Sequence, residues 1–272
     1  MKQRVLFVTN FSAAAQNALT YACQLLDLDV YEFILVHIYR LPQTYTYEGV
    51  ALASISDTFR DIEDDLHSEL ERVQQQFSKI SIHAQYIVGG LVESTRSLTE
   101  SLQPQILIFG TAGYYSEVWH ADSELLLALR NLTIPVMIIP EHVKFRPLKE
   151  IGFACDYKNV CVPKQISFIS DLVRQTGARL NVVHVTNSKA DNALMKTNES
   201  LLQEKLHEIE PRYFSIENTD VVNAIDQFVR EHQIDMLIVI PRKHESWYRL
   251  FHKSNIDKLA FLNRLPLLRL PE

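Results

Sequence analysis

The chain has 272 residues, 47% of them apolar and 22% charged, which suits two domains of ordinary size with a core in each and excludes a disordered chain. A formal net charge of −6 opposes general phosphate-backbone binding, so nucleic acid is not an expected partner, although a local basic pocket stays compatible with that charge. Cys23, Cys155 and Cys161, sparse and without paired spacing, read as small buried thiols of a reducing compartment.

No run of the length a membrane helix needs is present, and Val5-Leu6-Phe7-Val8 follows the first four residues with no small-residue cleavage site behind it. The expectation is a cytoplasmic protein with no membrane partner. Val5 to Val8 is a predicted buried strand running into Thr9-Asn10-Phe11-Ser12, where Ser12 is the N-cap of a helix with Ala14, Ala18, Ala22 and Leu25 on one face. Phe33 to Ile38 is a second strand, followed by a polar loop holding Tyr45 and Tyr47. Phe59, Ile62, Leu66, Leu70, Val73 and Phe77 recur at gaps of three and four, the strongest helix signal in the chain. Ile82 to Val88 alternates as a third strand and stops at Gly89-Gly90; Ile106 to Phe109 is a fourth, running into Gly110. A helix through Leu125, Leu126, Leu129 and Leu132 and a strand from Val136 to Ile139 close the first half.

The second half repeats this order. Ile151 to Cys155 leads into Asp156; Ile166, Ile169, Leu172 and Val173 mark a helix stopped near Gly177. Leu180 to Val185 is a strand, Leu202, Leu206 and Ile209 sit on a helix, and Met236 to Ile240 and Leu267 to Leu270 are the last strands. Residues 106–140 overlay 237–271 without a gap, which puts Ser123 on Ser254, Pro135 on Pro266 and Pro140 on Pro271. Leu35-Val36-His37-Ile38 matches Val182-Val183-His184-Val185 in the same way. Strands separated by helices imply parallel pairing with right-handed crossovers.

The pattern resembles the universal stress protein family over nearly the whole chain, as a tandem pair. The resemblance is carried by the opening strand and Ala-rich helix from Val5 to Leu19, by Phe153-Ala154-Cys155-Asp156, by Val36-His37 and Val183-His184, and by Gly110-Thr111-Ala112-Gly113 followed by Asp122-Ser123. It implies two tandem Rossmann-like (adenine nucleotide alpha hydrolase-like) domains, residues 1–142 and 148–272, each a five-stranded, mostly parallel sheet flanked by helices, with the linker near His142 to Leu148. In such sheets ligands bind at the carboxyl ends of the strands. The resemblance therefore implies a cleft around Asn10, Val36, Gly110, Gly113, Asp122 and Ser123, and a second around Asp156, Val183, Arg242, Lys253 and Ser254. In the nucleotide-binding branch, glycine N–H groups and a Ser hydroxyl at a helix start cradle the phosphates of ATP, and the opening Asp meets the adenine or ribose end. The closing strands of two such domains commonly pair about a pseudo-twofold axis, within one chain or between chains of a homodimer.

Both copies depart from that pattern. In the first, Asn10 stands where Asp is usual, and Asp122 replaces the second phosphate glycine, one residue early, so its carboxylate would repel an anion. In the second, Asp156 is kept, but Pro241 and His244 replace the two glycines and Lys253-Ser254 replaces Gly-Ser; a proline has no N–H to donate. Gly110 and Gly113 are a remnant nucleotide site or a turn that needs positive φ. The basic cluster Arg242, Lys243, His244, Arg249, His252 and Lys253, with Trp247 and Tyr248 among it, is a phosphate or acidic-partner site or a solvated loop. His37 and His184 read as structural histidines hydrogen-bonded near strand ends, and Asp61, Glu63, Asp64 and Asp65 as a solvated helix face. No Ser-His-Asp order, nucleophile elbow or Walker-type lysine is present, so no catalytic and no metal-binding residue is expected. No cofactor is fixed by the residues; ATP or AMP is what the resemblance implies. Three readings follow: a stress-linked regulatory or protein-interaction module without ATP binding, a nucleotide binder with a modified phosphate site and little hydrolysis, and an enzyme acting on a nucleotide or phosphorylated metabolite.

Overall fold

Val5, Leu6 and Phe7 are wholly buried on β1 (Gln3–Thr9), an inner strand paired in parallel with β2 (Tyr31–Tyr39), in register Val5 to Phe33, and with β4 (Ile106–Thr111), in register Val5 to Ile106. The structure is a computed structural model, and residues 2–41, 52–112, 132–157, 161–186, 193–240 and 264–272 are described. The chain divides into two units, Met1–Phe145 and Arg146–Glu272.

The first unit continues from β1 through α1 (Ala13–Leu25), β2, α2 (Leu52–Gln76), β3 (Ser81–Val88), α3 (Leu91–Leu102), β4 and β5 (Val136–Pro140). Its strand order is β3-β2-β1-β4-β5, with all pairs parallel. The second unit runs β6 (Glu150–Ala154), α4 (Pro163–Thr176), β7 (Arg179–Thr186), α5 (Ala193–Leu206), β8 (Arg212–Glu217), α6 (Val221–Glu231), β9 (Met236–Val239) and β10 (Leu267–Arg269). Its order is β10-β9-β6-β7-β8, again parallel. Each unit is thus the expected five-stranded α/β sheet. Its strand order reverses beside the opening strand, between β1 and β4 and between β6 and β9, and open α/β sheets take ligands beyond the carboxyl ends at such a reversal.

Local chemistry sets the element ends. Ser12 caps α1 with its hydroxyl accepting the Ala15 N–H at 3.3 Å, as its place before the Ala-rich run requires. Ser12→Ala is expected to cost about 1 kcal/mol of unfolding free energy, read by denaturant titration. Asn17, buried on α1, donates to the Pro140 and Val143 carbonyls at 3.1 and 2.9 Å and accepts from Lys144 at 2.9 Å, so it ties α1 to the chain leaving β5. In the second unit Gln165 on α4 plays the corresponding part, donating to the Pro271 carbonyl at 2.6 Å, while Asp235 holds the chain entering β6 by accepting the Lys149 and Glu150 N–H groups at 2.8 and 3.0 Å and pairing with Arg146. Gly177 ends α4 at φ 66°, the left-handed conformation for which glycine is suited.

Several expectations are corrected in detail. The helix through Leu202 and Leu206 stops at Leu206, and Ile209 belongs to a following 3₁₀ turn. The helix placed at Leu125–Leu132 falls outside the described residues except for Leu132, which is buried and not helical. Three elements, α3, β8 and α6, had no counterpart among the expected ones. The two β–α junctions also differ. Asn10 and Phe11 alone separate Thr9 from the Ser12 cap, whereas residues 156–161 separate Cys155 from the Val162 cap. At that longer junction Gln165 reaches back to accept the Val162 N–H at 2.9 Å, replacing the serine cap of the first unit.

Candidate functional site

The carboxyl ends of the first two strands carry the same constellation in each unit. In the first, Thr9 Oγ1 accepts the Phe11 N–H at 3.0 Å, and His37 Nδ1 lies 3.0 Å from the Thr9 carbonyl. Phe11 has φ 60° and stacks on His37 with centroids 4.6 Å apart. In the second, the Tyr157 N–H bonds the Cys155 thiol, His184 Nδ1 lies 2.9 Å from the Cys155 carbonyl, and Tyr157, at φ 53°, tilts over His184 at 4.7 Å. A carbonyl only accepts, so both Nδ1 atoms carry the proton and both Nε2 atoms are acceptors in the neutral rings. The histidines are structural groups that fix the strand ends. His184 Nε2 is buried and meets no donor among the described residues.

Asn10 and Asp156 begin the loops above these strand ends and differ in what they offer. Asn10 Oδ1 accepts both the Ser12 N–H, at 3.2 Å, and the Ser12 hydroxyl, at 2.6 Å. Its remaining polar group is the amide NH₂, a donor where a carboxylate would keep a second acceptor oxygen. Asp156 is half-buried, with Oδ2 closed off from solvent. Next in the chain is Tyr157, buried, and near Tyr157 stands Tyr213 on β8, whose phenol burial pushes up to about 12. Asn198 on α5 donates to the Tyr157 carbonyl at 2.9 Å. Neither Asn198 nor Tyr213 stands out in the sequence, because each is a single polar residue in an otherwise ordinary helix or strand.

Gly110 is explained by packing. A Cβ on it would lie 2.3 Å from the Ala14 carbonyl oxygen and 2.7 Å from the Ala15 nitrogen, so its bare face is what lets the first turn of α1 approach β4. Its φ is not positive, so of the two readings of Gly110 and Gly113 the turn that needs positive φ does not hold at Gly110. Val36 and Val183 are wholly buried, and the Val183 carbonyl is already taken by the Cys155 N–H at 2.9 Å. Gly113, Asp122, Ser123, Arg242, Lys253 and Ser254, with the basic and aromatic cluster around them, lie outside the described residues. The structure therefore places Asn10 just beyond β1, Gly110 near the carboxyl end of β4, and Asp156 just beyond β6. Among the described residues no group of three His, Cys, Asp or Glu side chains is arranged to hold a metal, and no helix is long and apolar enough to cross a membrane.

No protein-family description and no curated protein matches the chain. Solved structures do. A universal stress protein from Archaeoglobus fulgidus superposes with a TM-score of 0.72 at 16% identity, covering 99% of this chain and 96% of that one. A protein from Pseudomonas aeruginosa assigned to the universal stress proteins gives 0.56 at 13% identity, with 99% and 93% covered. The cytoplasmic domain of a prokaryotic cation chloride cotransporter gives 0.55 at 10% identity, with 99% and 95% covered. The architecture these share with the present chain spans it from end to end.

Proposed function

We propose, from a chain that carries two copies of the universal stress protein fold, that it is a regulatory or protein-interaction module of the stress response whose ATP binding is lost or much weakened. The observation that carries this reading is the fate of the two glycine and acid positions in the first unit. Gly110 is accounted for by the packing of α1, and the Asn10 side-chain oxygen already accepts from Ser12. The sequence departures point the same way, with Asp122 in one phosphate loop and Pro241 in the other. A similar architecture serves as the cytoplasmic domain of a prokaryotic cation chloride cotransporter, which supports reading this fold as a module. Three buried, reduced cysteines suit work in a reducing cytoplasm.

A second reading, a nucleotide site in the second unit alone, is favoured by Asp156, which keeps the carboxylate that Asn10 lacks. Calorimetric titration of the protein with ATP and with AMP separates the two. The expected result is no saturable heat and no thermal stabilisation at millimolar nucleotide. Micromolar binding that disappears in Lys253→Glu would overturn it in favour of a second-unit site whose side chains replace the glycine cradle.

A further inference from the structure

The second unit carries a feature that the first lacks: its longer β6–α4 junction begins and ends with a cysteine. Cys155 follows the last residue of β6, and Cys161 precedes the Val162 cap of α4. Their side chains are hydrogen-bonded to each other. Both residues are buried, at 7% and 4% exposure. The position of Cys155 is fixed from three sides, by its own N–H on the Val183 carbonyl, by His184 on its carbonyl and by the Tyr157 N–H on its sulfur. In the first unit Thr9 occupies the same place and binds the corresponding N–H with a hydroxyl, so the thiol is not needed for that turn. Two thiols hydrogen-bonded to each other at the two ends of one junction are the partners a disulfide would join.

The geometry points to Cys155 and Cys161 as a reversible redox pair, which a peroxide or a glutathione-type disulfide closes into an intramolecular disulfide at the ligand end of the second unit. With a peroxide, one thiolate attacks the O–O bond and becomes a sulfenic acid while the peroxide leaves as water or an alcohol. The second sulfur then displaces that hydroxyl as water and forms the S–S bond. In sum two thiols lose two electrons and two protons to the peroxide. With a glutathione-type disulfide the same electrons pass by two exchange steps and release two thiols. The ring formed contains Asp156 and Tyr157, so oxidation restrains the start of the segment that follows β6.

The thiolate is the reactive form, and the Cys161 thiol and then burial hold the Cys155 thiol well above its ordinary value. Closure is therefore slow at neutral pH and speeds up about tenfold per pH unit as the thiolate fraction grows. Cys23 lies on α1 in the other unit and serves as an internal control.

The test is to expose the folded protein to hydrogen peroxide, and separately to oxidised glutathione. Thiols are then counted by maleimide labelling after denaturation, with the intact mass recorded. The expected outcome is a fall from three thiols to one, a mass lower by about 2 Da, and full recovery with a reductant. Trypsin cuts after Lys158, between the cysteines, so unreduced digests should hold peptides 150–158 and 159–164 together. Cys155→Ser and Cys161→Ser should each keep two thiols under the same treatment. Three thiols surviving, a mixed glutathione adduct without closure, or a linkage involving Cys23 would overturn the proposal. If either variant fails to fold, the peptide map of the unsubstituted protein decides alone.

Discussion

Gly110→Ala is expected to destabilise the first unit by about 3 kcal/mol, the upper end for adding a methyl group to a packed interior. The reason is what the new Cβ would meet. The atoms 2.3 to 2.7 Å away are the Ala14 carbonyl and the Ala15 nitrogen, backbone of the first turn of α1 that cannot rotate aside as a side chain can. Relief requires α1 to lift from β4, which loosens Ala14, Ala15 and Ala18, all buried. Gly177→Ala is the useful contrast. Nothing lies within 4 Å of that glycine, but its φ is 66°, so only backbone strain of about 1 kcal/mol is expected there. Denaturant unfolding of both variants checks the pair. A loss at Gly110 no larger than at Gly177 would return the glycine to a ligand role and weaken the argument that the first phosphate site is gone.

Phe228→Ala is expected to cost about 3 to 5 kcal/mol in the second unit, read from the same unfolding curves. Phe228 is 1% exposed on α6, edge-on to Phe214 of β8 at 5.2 Å and against His232 at 4.6 Å. Truncation leaves a void among groups held by the sheet and by the end of α6, and neither side can collapse into it. A loss below about 1 kcal/mol would mean that α6 does not complete the core of its unit.

The elements α3, β8 and α6 differ in how far their sequences reveal them. The α6 pattern of Val222, Ile225, Phe228 and Val229 is a plain helical stripe, buried throughout, and was open to reading. In α3, by contrast, the buried face includes Ser94, Thr95 and Thr99. Thr95 and Thr99 return their hydroxyls to the Leu91 and Thr95 carbonyls at 2.7 Å, which satisfies them inside the protein and hides the face from any hydrophobicity pattern. β8 reads Arg-Tyr-Phe-Ser-Ile-Glu, with no fully buried residue and no apolar run longer than Tyr213-Phe214. For the site, Asn10 and Asp156 were legible because they follow strands at repeated positions. The contact of Cys155 with Cys161 was not, since their spacing matches no motif and the junction that joins them has no counterpart in the first unit.

By itself the sequence determined the alternation of buried strands and helices, its repetition from one half to the next, and the Ser12 cap, because periodicity and capping act over neighbouring residues. Tertiary structure alone decided that β1 sits between β2 and β4, that Gly110 yields to α1, that Ser12 takes the acceptor of Asn10, and that two thiols meet at one strand end. Those outcomes depend on which distant groups are brought within a few ångströms, and burial and hydrogen-bond satisfaction across the whole unit select them where no local pattern can.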